Sequence, residues 1–349
     1  MRSRIHRREF LALALPFAVA LPGYRYQFPR DHLAHPEFQT EWWYYTGNLR
    51  SRDRRFGFQL TFFRQSKSRE TSQQTWSDDP IWLAHNALSD IGDGHFHHAQ
   101  RVNRTGPGLA GVDAARGLVW TGNWQASPKS LRSVDPAYTL ELSLLEQKPP
   151  VIHGSNGVSQ KAAGAGRASH YISLSRIAAR GKLIYQNREL AVDGLVWMDH
   201  EFFTHQLEPE QVGWDWFSVQ LQNNSELMLY RLRRRDGSVD PFSAGTFIDA
   251  QGRSRHLTAR EFKLIPSGIW TSPATGARYP LRWQIRVPAL NLDLNASSPL
   301  SGQEIVSRFE FSPNYWEGAV DYQGTSVGKP ISGVGYLEMT GYDKPVTAL

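Results

Sequence analysis

Along most of this chain, hydrophobic positions recur at every second residue. Phe56, Phe58, Leu60 and Phe62 alternate with Gly57, Gln59 and Thr61, as in a half-buried strand. The stretch Ser51-Arg52-Asp53-Arg54-Arg55 turns that strand back onto residues 41–49, EWWYYTGNL, to make a hairpin. A second unit of the same kind begins much later, with residues 213–221, a turn at Asn223-Asn224-Ser225, and residues 226–233. No stretch carries an extended amphipathic-helix pattern, and Asp93-Gly94, Asn156-Gly157, Asp236-Gly237 and Gln251-Gly252 punctuate the chain with turns. The pattern predicts an all-β protein whose antiparallel strands close into two barrels, each opening with an aromatic hairpin. The expected divisions are 1–22, a leader of different character, then domains 29–205 and 206–345. Residues 154–169, rich in Gly, Ala and Ser, read as a long loop, and as a tolerated insertion more readily than a lid.

Composition agrees with a globular protein. With 349 residues, 40% of them apolar and 12% aromatic, the chain has enough hydrophobic surface for a large core and enough length for two domains. Half of the formal charge of +6 sits in the first ten residues, as Arg2, Arg4, Arg7 and Arg8 against Glu9. The remaining basic residues are scattered, so no nucleic-acid partner is expected. The run Arg231, Arg233, Arg234, Arg235 leads into Asp236-Gly237 and reads as a solvated strand end and turn.

The leader MRSRIHRREFLALALPFAVALPG joins a basic region to a short apolar run and ends in a small-residue cleavage pattern, Ala18-Val19-Ala20. Arg7-Arg8-Glu9-Phe10-Leu11 follows a twin-arginine export signal, with His6 and Ala12 as departures that leave the general secretion route open. Export to the periplasm or beyond is the expectation. No later apolar run reaches the length of a membrane-spanning helix. Cysteine is absent, which excludes disulfides, thiolate nucleophiles and cysteine-bound metals.

Three stretches place ionisable groups among aromatic ones. In EWWYYTGNL an extended backbone sends Glu41, Trp43 and Tyr45 to one face and Trp42, Tyr44 and Thr46 to the other. Such rings are commonly core, but a carboxylate beside them needs a partner or a proton. In residues 197–203, WMDHEFF, His200 shares its face with Met198 and Phe202, and Asp199 and Glu201 share theirs with Trp197. Histidine as a residue type titrates near neutral pH, so His200 reads as a proton donor or acceptor; the alternative is a domain junction whose acids are solvated or paired to arginines. In Trp214-Asp215-Trp216 the acid falls on the apolar face with Phe217, Val219 and Leu221. Burial there would keep Asp215 protonated for donation, unless an arginine or backbone amides hold it ionised.

His95 and His97 project to one side beyond Asp93-Gly94, as zinc ligands can, but spacing locates no third ligand and there is no HExxH helix, so no metal is expected. A Gly-rich nucleotide loop and a GxSxG elbow are both missing, and no cofactor is expected.

The segments FPRDHLAHPEFQTEWWYYTGNL, AHNALSD, WMDHEFF, GWDWFSVQL, YWEGAVDY and GYLEMTGY, in that order, closely resemble the AttH-like proteins, the lipocalin-like group that includes carotenoid 1,2-hydratases, also called hydroxyneurosporene synthases. The resemblance runs through nearly all of the chain after the leader. It implies two lipocalin-like (calycin-type) β-barrel domains packed together, with a ligand site in or between them.

The implied chemistry is hydration of an isoprenoid double bond, which needs an acid strong enough to protonate carbon, π electrons around the resulting cation, and an aligned water. Asp215 or Asp199 is then the acid and His200 its partner or the base that orients water. Glu41, Trp42, Trp43, Tyr45, His85, Trp214 and Trp216 make the ligand wall. The expected partner is an apolar small molecule, an isoprenoid or lipid, exchanged through peripheral contact with a membrane. Export argues for a ligand other than a carotenoid precursor, which stays in the cytoplasmic membrane. The competing readings are a non-catalytic periplasmic carrier, which needs the aromatic walls but no proton donor, and a secreted hydrolase.

Overall fold

The computed structural model describes residues 16–67, 80–205 and 207–346. Most of the expected export signal therefore lies outside the described residues. Its last part runs along the first sheet, where the Ala18 amide donates to the Glu37 carbonyl and Ala20 is buried beside Phe38 and Phe202.

Alternation in the sequence becomes strand throughout. Thirteen strands make one antiparallel sheet and ten make a second. In the first, Thr40–Ser51 pairs with Arg54–Gln65 across a two-residue turn in which Arg52 takes a φ of 55°. The sheet continues on that side through Ile81–Asp90 to His95–Arg104. On the other side it runs through Arg188–Phe203, Ala168–Tyr185 and Tyr138–Glu146, then four shorter strands ending at Ala110–Asp113. Its ends approach one another, so that Arg101 donates to the Thr121 and Val134 carbonyls and lies over the Trp124 ring. The second sheet is centred on the other predicted hairpin, Gln211–Leu221 with Glu226–Arg234, and joins its first strand to its last, Lys329–Thr340.

Each sheet curls around its own core, giving two lipocalin-like barrels. Trp43, Tyr45, Leu49, Phe56, Phe58, Leu60, Phe62 and Met198 fill the first. Phe217, Val219, Leu221, Trp283, Trp316 and Tyr322 fill the second. A fully buried indole removes roughly 150–250 Å² from water, on the order of 4–6 kcal/mol before the entropy of ordering it is subtracted. Both interiors are thus packed with side chains.

The outer faces of the two sheets meet. Tyr44, Tyr171 and Trp197 of the first pack against Trp216, Met228, Tyr230, Leu232 and Tyr336 of the second. Gly57 permits the approach, because a Cβ there would stand 2.9 Å from the Tyr336 hydroxyl and 3.0 Å from the Ala319 methyl. Beside this contact the buried Glu226 receives Lys148 at 2.7 Å and also Arg176.

Candidate active site

Between those faces lies a cavity of about 600 Å³. Strand register assembles its wall. On the first sheet Trp42 stands opposite Glu201 and Tyr44 opposite Asp199, and the next strand places Tyr171 and Ser173 opposite the same two acids. Thr61 stands between Tyr44 and His85 on successive strands. The second sheet contributes Trp214 and Trp216, with Tyr230 and Glu338 opposite Trp216 on either side.

Asp199 is buried in this wall under three donors. Its Oδ1 accepts from the Trp197 indole at 2.6 Å and from the Ser173 hydroxyl; its Oδ2 accepts from Tyr171 at 2.5 Å, and Tyr171 in turn accepts from the Trp216 indole at 2.8 Å. Donors favour the carboxylate, but burial outweighs them and the charge of Glu201 adds to it, so the group is pushed up to about 7. With two donors on Oδ1, Oδ2 is the oxygen with room for a proton. Behind Asp199, Ser173 meets His153 at 2.6 Å, and the other nitrogen of that ring meets Thr246 of the second sheet at 2.8 Å.

The remaining acids share the same surroundings. Burial raises Glu338 to about 8 against the pull of the Trp214 indole, which donates to it at 3.0 Å, and the charges of Asp199 and Glu201 act in the same direction. Glu317, behind the wall, accepts from the Tyr44 hydroxyl at 2.6 Å and is raised well above the usual carboxylate range by burial, with the charge of Glu338 adding to it. Glu201 is 3.2 Å from Lys161, whose ammonium stays above its ordinary value because Glu201 overcomes the effect of burial.

At the other end of the cavity His85 is hydrogen-bonded through Nδ1 to the Tyr315 hydroxyl at 2.6 Å and through Nε2 to Gln100 at 3.0 Å. Burial, with His98 nearby, lowers His85 to about 3, so it is a neutral ring that orients Tyr315.

Trp42, His85, Asp199, Trp214 and Trp216 thus lie together on the cavity wall. Five other expected site residues lie elsewhere. Trp43 and Tyr45 point into the packed first barrel, because alternation places them opposite Trp42 and Tyr44. Glu41 and His200 occupy the same interior side, 2.8 Å apart, together with His35 at 2.8 Å and Arg64 at 3.1 Å from the carboxylate. His35, Glu41 and His200 each bring a potential metal-ligating atom within 4.8 Å of the others. Hydrogen bonds and the Arg64 guanidinium link the members of the cluster to one another. Asp215 is buried on the far side of its strand, bound at 2.7 Å by Arg231, at 3.4 Å by Arg233 and at 2.8 Å by the Tyr342 hydroxyl. The arginine-held alternative describes it, and those arginines, expected in a solvated turn, are strand residues facing an acid.

Tyr44, Tyr171, Lys161, Tyr230 and Glu338 are wall residues that the sequence did not single out. Lys161 comes from the Gly/Ala/Ser-rich segment 154–169, so that segment contributes to the site and is more than an insertion. Glu338 belongs to GYLEMTGY, where alternation between Leu337 and Met339 marks a polar face.

A family model for AttH-like proteins matches residues 19–342. A Nitrosomonas europaea protein assigned to AttH is 32% identical and superposes with a TM-score of 0.81, over 93% of this chain and all of that one. Kievitone hydratase from Nectria haematococca shares the fold at 16% identity, with a TM-score of 0.70 over 94% of this chain and 98% of its own. The dehydratase asqC of Emericella nidulans is 23% identical over 239 residues; these are 66% of this chain and 66% of the dehydratase, just under two thirds of that relative's length. The model match begins ahead of the first strand and ends just past the last, so it takes in both barrels, and the chain belongs to the AttH-like family.

Proposed function

We propose that the cavity between the barrels adds water to, or removes it from, a small apolar ligand by acid catalysis, with Asp199 as the proton donor. The observation that carries this reading is a carboxyl group held near 7 on the wall of an aromatic cavity, protonated often enough at neutral pH to donate and ionised often enough to take the proton back. In hydration the Asp199 proton passes to one alkene carbon, the π pair forms the new C–H bond, and the other carbon becomes a tertiary cation. Water adds to that carbon and its surplus proton returns to the Asp199 carboxylate. Dehydration is the reverse. The rings of Trp42, Tyr44, Trp214 and Trp216 provide π density around the cation, and Glu338 accepts a hydrogen bond from the water.

The relatives that include a hydratase and a dehydratase support this class of reaction. An isoprenoid or lipid ligand, met outside the cytoplasm after export, is the form of it that the leader favours.

The test is incubation with host lipids in ¹⁸O-labelled water, followed by mass spectrometry. Labelled oxygen in a product that has lost a double bond is the expected result. Asp199→Asn should lower turnover by about 10²-fold or more while ligand affinity changes little, as for loss of a general acid. A lipid that copurifies and never takes up label would leave a carrier, for which a proton donor has no use.

A further inference from the structure

Among the described residues, the deep wall of the cavity is short of cations. Asp199, Glu201 and Glu338 face it, and the cation opposite them, Lys161, is committed to Glu201. Arg64 at the border is committed to Glu41, and Arg308 and Lys344 line the cavity together with as many acids, Glu310 and Asp343. Among the described residues a buried acceptor on the cavity wall, Gln59 Oε1, also lacks a donor. A ligand that fits this wall brings hydrogen-bond donors and positive charge. The protein's own ammonium shows how the wall treats such a group, since Lys161 Nζ lies 4.0 Å from the Tyr230 ring centroid and 5.1 Å from that of Tyr171. Electron-rich ring faces attract cations most strongly where water is excluded.

We infer that this cavity binds an organic ammonium ion, a protonated amine on a compact apolar frame, with its charge between Asp199 and Glu338 and its frame against Trp42, Trp214 and Trp216. The inference deepens the reading above and rests on the same cavity, because an ammonium puts a lasting positive charge where a carbocation would be transient. It does not depend on turnover. Buried acids that are protonated without a cation ionise beside one, so the site gains an opposite charge as the amine enters.

The experiment compares N,N-dimethylgeranylamine, geranyl methyl ether and geranate on the full chain at neutral pH, by quenching of tryptophan fluorescence. The amine should bind about tenfold or more tightly than the uncharged ether, and geranate more weakly than either. Glu338→Gln should reduce the amine-to-ether ratio severalfold and leave the ether affinity in place, which also shows that the variant is folded; Asp199→Asn should act in the same direction. Equal affinities for amine and ether, or a ratio that neither variant moves, overturns the inference. Labelled-water uptake is read separately. Amine preference without labelled product sustains this inference and sinks the hydratase reading, and labelled product without amine preference does the opposite.

Discussion

Two buried carboxylates on opposite faces of the first sheet, Asp199 and Glu41, show how environment sets the role of one kind of group. Asp199 is raised because burial outweighs three neutral donors, and removing a donor should raise it further. Tyr171→Phe takes away the hydroxyl that donates at 2.5 Å and leaves the ring. A hydrogen bond to a charged group is worth about 1.5–3 kcal/mol and 1.36 kcal/mol is one pKa unit, so the group should move from about 7 upward by about one to two units. If the protonated acid is the active form, the alkaline limb of the rate profile moves upward by the same amount. A profile that does not move would take the acid role away from Asp199.

Glu41 is the contrasting case. Burial works to raise it, yet His200, His35 and Arg64 together hold it well below the ordinary range, and Asp31 is likewise held low by His35, the Gln27 amide and Arg30 against burial. His35, between them, is raised to about 9, because the two carboxylates overcome the effect of burial. The signs follow. The stabilisation from His35 is complete below its unfolded value of about 6.5 and is lost as pH rises through about 9. The stabilisation from Glu41 and Asp31 is complete above their unfolded values near 4 and is lost as pH falls toward their folded ones. The contribution of this cluster, read by urea unfolding as the difference between the native chain and Glu41→Gln, should therefore show a plateau from about pH 5 to 6.5 with losses on both sides. Glu41→Gln should cost about 3–5 kcal/mol at the plateau, the usual effect of removing one member of a buried ionic set, without emptying the cavity.

At the scale of the element, period-two alternation was enough to predict both hairpins and to sort EWWYYTGNL and WMDHEFF into two faces each. It could not say which face is interior. Both faces of 41–46 are aromatic, so Trp42 was grouped with Glu41, Trp43 and Tyr45, although the structure places Trp42 on the cavity and the other three on the barrel side. What decides the matter is the second sheet, which covers Trp42, Tyr44, Asp199 and Glu201, and no local pattern reports a contact formed across more than a hundred residues. Asp215 could have been separated from Asp199 by the hairpin alone, because register puts Arg231 directly across from it. Lys161 was hidden by its small, flexible-looking neighbours. The same reasoning about close strands predicts that Gly57→Val, which adds three carbons where even a Cβ meets Tyr336 and Ala319, will destabilise the protein by about 1–3 kcal/mol or more. Thermal unfolding measures this, and a neutral result would mean that the two sheets are not in contact there.

For the whole molecule, the proposed reaction lies at the junction of the barrels, so on that reading binding and the association of the two sheets are linked. Neither sheet alone holds both Asp199 and Glu338. The chain His153–Ser173–Asp199 begins on Thr246 of the second sheet, so even the acid of the first sheet is supported from across the junction. Glu226 with Lys148 and Arg176 ties the sheets together through charge that is buried only while they are docked. Glu226→Gln removes the shared anion from two cations and should cost about 3–5 kcal/mol. If docking is what makes the barrels unfold together, the single transition expected of the native chain should separate into two in this variant. A cavity ligand should then raise the midpoint of the earlier transition, because it binds only when both walls are in place. One unchanged transition, insensitive to ligand, would mean that the barrels are coupled by something other than this junction.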